Sequence, residues 1–239
     1  MKFLKLMVAL WLLPACVALT MSVFGLAHRL VFEPQPMTVL HSPLAAFCTG
    51  YGLWLVVFTF LPKPMRTYVL GHELTHAVWA LLMGARVSGL RVKKTGGQVR
   101  TSKTNWLITL APYFFPFYAV LFIALFFIAH AIWDLSAHMY WLFFLAGLGW
   151  SFHVTFTLMM LLTTKQPDVQ SQGVVFSLVI VYLMNLLTLT LTATLLSRTL
   201  SLADLAREAG RDCVVTYSWT LDKFLALCHY AFTLFRHGR

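Results

Sequence analysis

The chain predicts an all-α polytopic membrane protein, and three observations carry that class. Of its 239 residues 59% are hydrophobic and 11% charged, where a soluble domain would carry roughly a quarter charged. Six apolar stretches approach or exceed the ~20 residues that a helix needs to cross a hydrocarbon core of about 30 Å. They are unbroken rather than alternating, which favours helices over the roughly ten-residue strands of a membrane barrel.

The stretches lie near 4–27, 43–62, 67–86, 106–133, 139–163 and 173–197. In the first, Lys2 and Lys5 precede the apolar run as in a signal peptide, and Leu13-Pro14-Ala15-Cys16 faintly resembles a lipoprotein cleavage site. The run continues past Cys16 to about Ala27 and Pro14 suits such a site poorly, so a retained anchor helix is expected. After the third stretch, Val87, Leu90, Val92 and Val99 are interspersed with polar residues around Lys94-Thr95-Gly96-Gly97. A short β-hairpin and a plain basic loop both fit that pattern. Pro112 and Pro116 interrupt the start of the fourth stretch. Backbone freed by proline at membrane depth is tolerated only where neighbouring protein or a wet cavity satisfies it, so this kink is expected beside a site. In the tail, Leu221, Leu225, Cys228, Phe232 and Phe235 recur at four- and three-residue intervals, which favours an interfacial amphipathic helix over a seventh span. The organisation expected is N-terminal anchor spans over 1–66, a membrane core over 67–197 and an amphipathic tail over 198–239.

Charge and cysteine narrow the function classes. The net charge is +10, with its densest part at Arg86, Arg91, Lys93, Lys94, Arg100 and Lys103 between spans. Such a cluster marks a cytoplasmic face or contact with anionic head groups; without aromatic interleaving it gives no reason to expect nucleic acid as a partner. Cys16, Cys48, Cys213 and Cys228 have no C-x-x-C spacing and indicate neither a disulfide framework nor a thiolate zinc site.

The chemistry is concentrated in Gly71-His72-Glu73-Leu74-Thr75-His76-Ala77, an H-E-x-x-H pattern. On a helix His72 and His76 share one face and can grip one Zn²⁺, while Glu73 serves as general base toward water. Glu73 is the only acid between Glu33 and Asp134. A charge deep in a bilayer costs roughly 2.5–3.5 kcal/mol even on lenient scales, so this one needs a reason. At 1.5 Å per residue His72 and His76 lie roughly 7.5 and 13.5 Å along the helix from Thr67, nearer the face carrying Lys63 and Arg66. Two histidines leave a third protein ligand to be found, and His130, Asp134, His153 and Asp168 are the candidates.

The motif within an apolar helix resembles the site-2 protease family of intramembrane zinc metalloproteases. In that family a β-like hairpin follows the motif helix, then a small-residue-plus-proline start to the next span; Gly96-Gly97 and Ala111-Pro112 stand in those places. The resemblance implies an Asp as third ligand about ninety residues downstream, and Gln166-Pro167-Asp168 is similar in position and in its Pro-Asp pair. Two departures stand out: Val169 follows Asp168 where the family has Gly, and Ala111-Pro112 lacks an intervening Gly. The match spans roughly 67–175. It implies Zn²⁺ held by His72, His76 and Asp168, and Glu73 taking a proton from water and passing it to a leaving amine; Asp134, on the same face as Lys63 and Arg66 if all stretches cross, is the alternative ligand. Asn105 is either a substrate-orienting group or a helix N-cap. The implied partner is a membrane-embedded or membrane-adjacent protein, and the implied location a multi-pass position in a bacterial plasma membrane.

Topology raises a conflict. If all six stretches cross fully, Asp168 emerges opposite Lys63 and Arg66, so 163–172 must dip inward to reach the histidines. Lys2 and Lys5 favour a cytoplasmic N-terminus, yet full crossing then places the basic 86–104 segment outside; a re-entrant hairpin would relieve both. The rival readings are a metal transporter or scaffold that retains the motif, and a zinc hydrolase acting on lipid.

Overall fold

The computed structural model describes residues 2–32, 43–93, 96–196 and 201–237. Lys94 and Thr95 of the expected hairpin turn lie outside them, as do 33–42 of the anchor region and 197–200, 238 and 239 of the tail. The described residues form helices α1 (Lys2–Phe32), α2 (Pro43–Phe60) and α3 (Met65–Leu82), then strands β1 (Val87–Lys93) and β2 (Gly96–Thr101). Helices α4 (Trp106–Leu110), α5 (Phe117–Ile132), α6 (Met139–Thr163), α7 (Pro167–Gln172), α8 (Val174–Leu196) and α9 (Leu202–His237) follow.

Among the described residues four helices are long and apolar enough to cross a membrane: Lys2–Arg29, Pro43–Phe60, Ser136–Thr163 and Val174–Thr194. A fifth is reached only if Trp106–Tyr113 and Phe117–Ile132, bent by 83°, count as one broken span. The count of six is therefore not met. The third stretch falls short because α3 carries Arg66, Thr67, His72, Glu73, Thr75 and His76 within its 18 residues.

The bend in the fourth stretch follows from its two prolines, each of which lacks an N–H and crowds the preceding turn. Helix α4 ends in a single 3₁₀ turn at Ala111–Tyr113, and α5 starts only after Pro116. The carbonyls exposed by the break find donors on α8: Asn185 Nδ2 donates to Tyr113 O at 2.8 Å and Thr188 Oγ1 to Phe114 O at 3.1 Å. The expected condition, freed backbone satisfied by neighbouring protein, is thus met here.

Helix α6 packs closely on α2 and α5. At the α2–α6 crossing, a Cβ on Gly147 would lie 2.0 Å from Phe47 O, and one on Gly50 would lie 1.9 Å from Phe144 O. Small residues at a crossing let two backbones approach where lipid supplies no hydrophobic drive. On the other side α1 packs on α8 and α9. Lys5 Nζ donates to Gln172 Oε1 and lies 5.5 Å over the Phe176 ring, and Thr20 Oγ1 is 2.7 Å from Tyr182 Oη.

Helix α9 has a polar buried face in its first half, where Arg29 pairs with Glu208 and Ser22 Oγ donates to Asp212 Oδ2 at 2.9 Å. Farther along, Leu221, Leu225 and Phe232 of the expected apolar stripe are exposed. The tail is one amphipathic helix anchored to α1 by its N-terminal half.

Gly147→Leu should force α2 off α6. Overpacking costs of ~1–3 kcal/mol would appear as a lowered midpoint in thermal unfolding of the purified protein, whereas Gly52→Leu, at a glycine with nothing within 4 Å of its Cβ position, should leave it near wild type.

Candidate metal centre

The H-E-x-x-H segment is helical throughout and turns both histidines to one side. His72 Nε2 and His76 Nε2 each lie 3.5 Å from one atom, Asp168 Oδ2. The three ligand atoms fall within 4.8 Å of one another, and among the described residues this is the one group of His, Cys, Asp or Glu close enough to hold a metal. With ligand bonds of about 2.0–2.2 Å, a tetrahedral Zn²⁺ spaces its ligand atoms ~3.3–3.5 Å apart. The His–Asp separations match that spacing, so the donor set fits zinc.

Asp168 reaches the histidines because α6 stops and α7 starts at once. Pro167 occupies the first position of α7, where a missing N–H costs nothing, and holds Gln166 extended (φ −91°, ψ 118°). Gln166 Nε2 donates back to Met160 O at 3.2 Å, closing the end of α6. Val169, which departs from the glycine expected after the Asp, is buried in the cluster with Phe176 and Ile180 and seats α7 on α8. Ser177 Oγ donates to Val169 O at 3.0 Å. The inward dip expected of 163–172 takes the form of this short helix.

Around the three side chains stand groups that orient them. His76 Nδ1–H donates to Ile108 O at 2.9 Å, which fixes the tautomer and leaves Nε2 free to ligate. Tyr68 Oη is 3.4 Å from His72 Nδ1. Tyr113 Oη lies 3.2 Å from Asp168 Oδ2 and 3.0 Å from Gln166 Oε1, and its ring meets the His72 ring edge-on at 5.3 Å. Against His72 is a cavity of about 20 Å³ whose walls include Tyr118, Phe152 and His153, room for about one water.

Glu73 is buried at 7% exposure. What covers it is the hairpin. Strands β1 and β2 pair antiparallel, with Val92 opposite Gly97 and Leu90 opposite Val99. A Cβ on Gly97 would sit 2.4 Å from Glu73 Cγ and 2.7 Å from its Oε1. The Gly-Gly pair read as a turn signal is instead the start of β2, and Gly97 has no side chain because the Glu73 side chain takes the space.

The remaining candidates lie elsewhere. Asn105 is the N-cap of α4: its Oδ1 accepts from Ile108 N at 2.9 Å, and its Nδ2 donates to Met83 Sδ at 3.0 Å. It thereby secures the turn whose Ile108 carbonyl aims His76. Asp134 accepts from Ser136 N at 3.2 Å in the exposed turn after α5, outside the group, and the Ser136 hydrogen bonds hold its carboxyl below the usual range. His130 Nδ1 accepts from Leu135 N at 2.8 Å, and His153 Nε2 donates to Asn185 Oδ1 at 3.0 Å. Sequence reasoning did not single out Tyr113, Ile108 or the contact made by Gly97. For Tyr113 the available signal was a polar-tipped aromatic directly after Ala111-Pro112.

Comparison with known proteins gives no relative: no family model matches the chain, and searches of curated proteins and of solved structures return no match.

Gly97→Val should push the hairpin off α3. Trypsin should then cut faster at Arg91, Lys93 and Arg100, and the unfolding midpoint should fall by the equivalent of about 1–3 kcal/mol. Wild-type proteolysis would show that the hairpin does not rest on Glu73.

Proposed function

We propose that the chain is a zinc-dependent endopeptidase, similar to the site-2 proteases, that hydrolyses peptide bonds of membrane-embedded or membrane-adjacent proteins. The observation that carries this reading is the convergence of His72, His76 and Asp168 to within 4.8 Å beside a buried Glu73. Three protein ligands with a fourth position left for water or substrate is the ligand count of a catalytic rather than a structural zinc. Zinc in that position supplies Lewis acidity, acidifying water and polarising a carbonyl.

The chain's own residues supply the rest. His72, His76 and Asp168 would hold the metal, with the Ile108 carbonyl keeping His76 in the ligating tautomer. The small cavity against His72 has room for about one water. Glu73 takes a proton from water as the scissile carbonyl is attacked and returns it to the leaving amine, restoring its carboxylate. The two-stranded hairpin lies over Glu73 and can extend by one strand, which would hold an unwound substrate segment by backbone hydrogen bonds. A membrane location is supported by four helices long and apolar enough to cross a bilayer.

The test is zinc content and cleavage of reporter membrane proteins by the purified chain. Glu73→Gln should keep the metal and lose roughly 10²–10⁴-fold in rate; Asp168→Ala should lose both, and Asp134→Ala neither. Full activity in Glu73→Gln would end the endopeptidase reading. Zinc loss in Asp134→Ala but not in Asp168→Ala would overturn the ligand set, and cleavage of lipid esters instead of reporters would move the substrate class to lipid.

A further inference from the structure

We infer that Tyr113 is a positioning residue for the third ligand, and that Asn185, braced by His153, positions Tyr113. The inference rests on the metal reading above.

Tyr113 is 1% exposed and touches two of the three ligand side chains. Its hydroxyl has one proton and faces two acceptors, Asp168 Oδ2 at 3.2 Å and Gln166 Oε1 at 3.0 Å. A carboxylate is the stronger acceptor, so the proton goes to Asp168. Gln166 is held with Oε1 toward the phenol, because its Nε2 donates to Met160 O and Thr164 O, and it competes only as a neutral acceptor. The ring meanwhile stands edge-on to His72 at an interplanar angle of 87°. The phenol therefore sets the rotamer of Asp168 and limits that of His72 at once.

A side chain can aim only if its own backbone is held, and Tyr113 ends a 3₁₀ turn just before the proline break. Its carbonyl, freed from helical pairing, accepts from Asn185 Nδ2 at 2.8 Å. The second proton of that amide goes to Val181 O, also at 2.8 Å. An amide could present either end to Tyr113, and the other orientation would oppose two carbonyl oxygens. Those two carbonyls fix the amide with its nitrogen toward Tyr113, which leaves Oδ1 to accept from His153 Nε2–H at 3.0 Å. His153 is buried, with its ring edge-on to Trp150 at 5.8 Å, and Trp150 Nε1 donates across to Thr192 on α8 at 3.2 Å. A histidine and an asparagine in two candidate spans thus share one task, holding a turn that aims a ligand.

The experiment measures zinc dissociation by chelator competition on the purified full chain, alongside thermal unfolding. Loss of an outer partner of a metal ligand typically weakens metal affinity roughly 10–100-fold. Tyr113→Phe should fall in that range while its unfolding midpoint without metal stays near wild type. Asn185→Leu should weaken zinc in the same direction, and the double variant should bind no worse than the weaker single one, because the two act in series. Thr188→Val, which removes the neighbouring bond to Phe114 O, should lower the midpoint and leave zinc affinity unchanged. Wild-type zinc affinity in Tyr113→Phe overturns the inference and leaves the metal reading intact. Fully multiplying losses in the double variant, or an equal zinc loss in Thr188→Val, overturn the series from Asn185 to Tyr113. A wild-type chain that holds no zinc overturns the metal reading and this inference together.

Discussion

Every buried backbone polar group in an apolar bundle must find a partner, and the proline-broken stretch around 111–116 is where this chain meets that demand by tertiary contact. Pro112 and Pro116 remove donors and bend the chain by 83°. The freed carbonyls of Tyr113 and Phe114 are met by Asn185 and Thr188 of α8, and the turn just before them presents the Ile108 carbonyl to His76. Were the stretch a straight helix, Ile108 O would be spent inside it and Tyr113 would not face α7. The break is what turns a membrane segment into the wall of a site.

The candidate metal-ligating group is assembled from two unequal kinds of order. His72, Glu73 and His76 come from one helix, so their relation is set by helical geometry. Asp168 comes from a six-residue helix that would not persist alone. It is held by the Pro167 start, by Val169 in the core and by Ser177. Bringing a carboxylate among two imidazoles in a largely apolar setting is unfavourable unless the charge is answered. A divalent cation would answer it.

Outside the site the same economy holds. At the α1–α9 contact Glu208 pairs with Arg29, and Asp212 with Ser22 and Arg211. The close α2–α6 crossing depends on its glycines, with one hydrogen bond from Trp54 Nε1 to Thr155 Oγ1 at 2.9 Å beside them. Among the described residues the buried side-chain polar atoms have hydrogen-bond partners except Trp79 Nε1, Ser151 Oγ and Glu208 Oε2.

The helical class, the strongly apolar stretches and the shared face of His72 and His76 could be read from the chain alone, because each follows from composition or from a period of a few residues. The hairpin was legible as one of two options, since β-branched residues around Gly-Gly suit a strand pair as well as a loop. The Pro-Asp pair made Asp168 the preferred ligand through a resemblance, but its contact with the histidines required α6 to end and α7 to fold inward. The tertiary structure alone decided the number of membrane-competent helices, the covering of Glu73 by Gly97 and the role of Tyr113. It also separated Asp134 from the group and made Asn105 a cap. Those features rest on contacts such as Tyr113 with Asp168, 55 residues apart in sequence. Local periodicity encodes which way a side chain points from its own helix. Which distant backbone atom waits there is set only when the whole chain closes and every buried polar group must be satisfied.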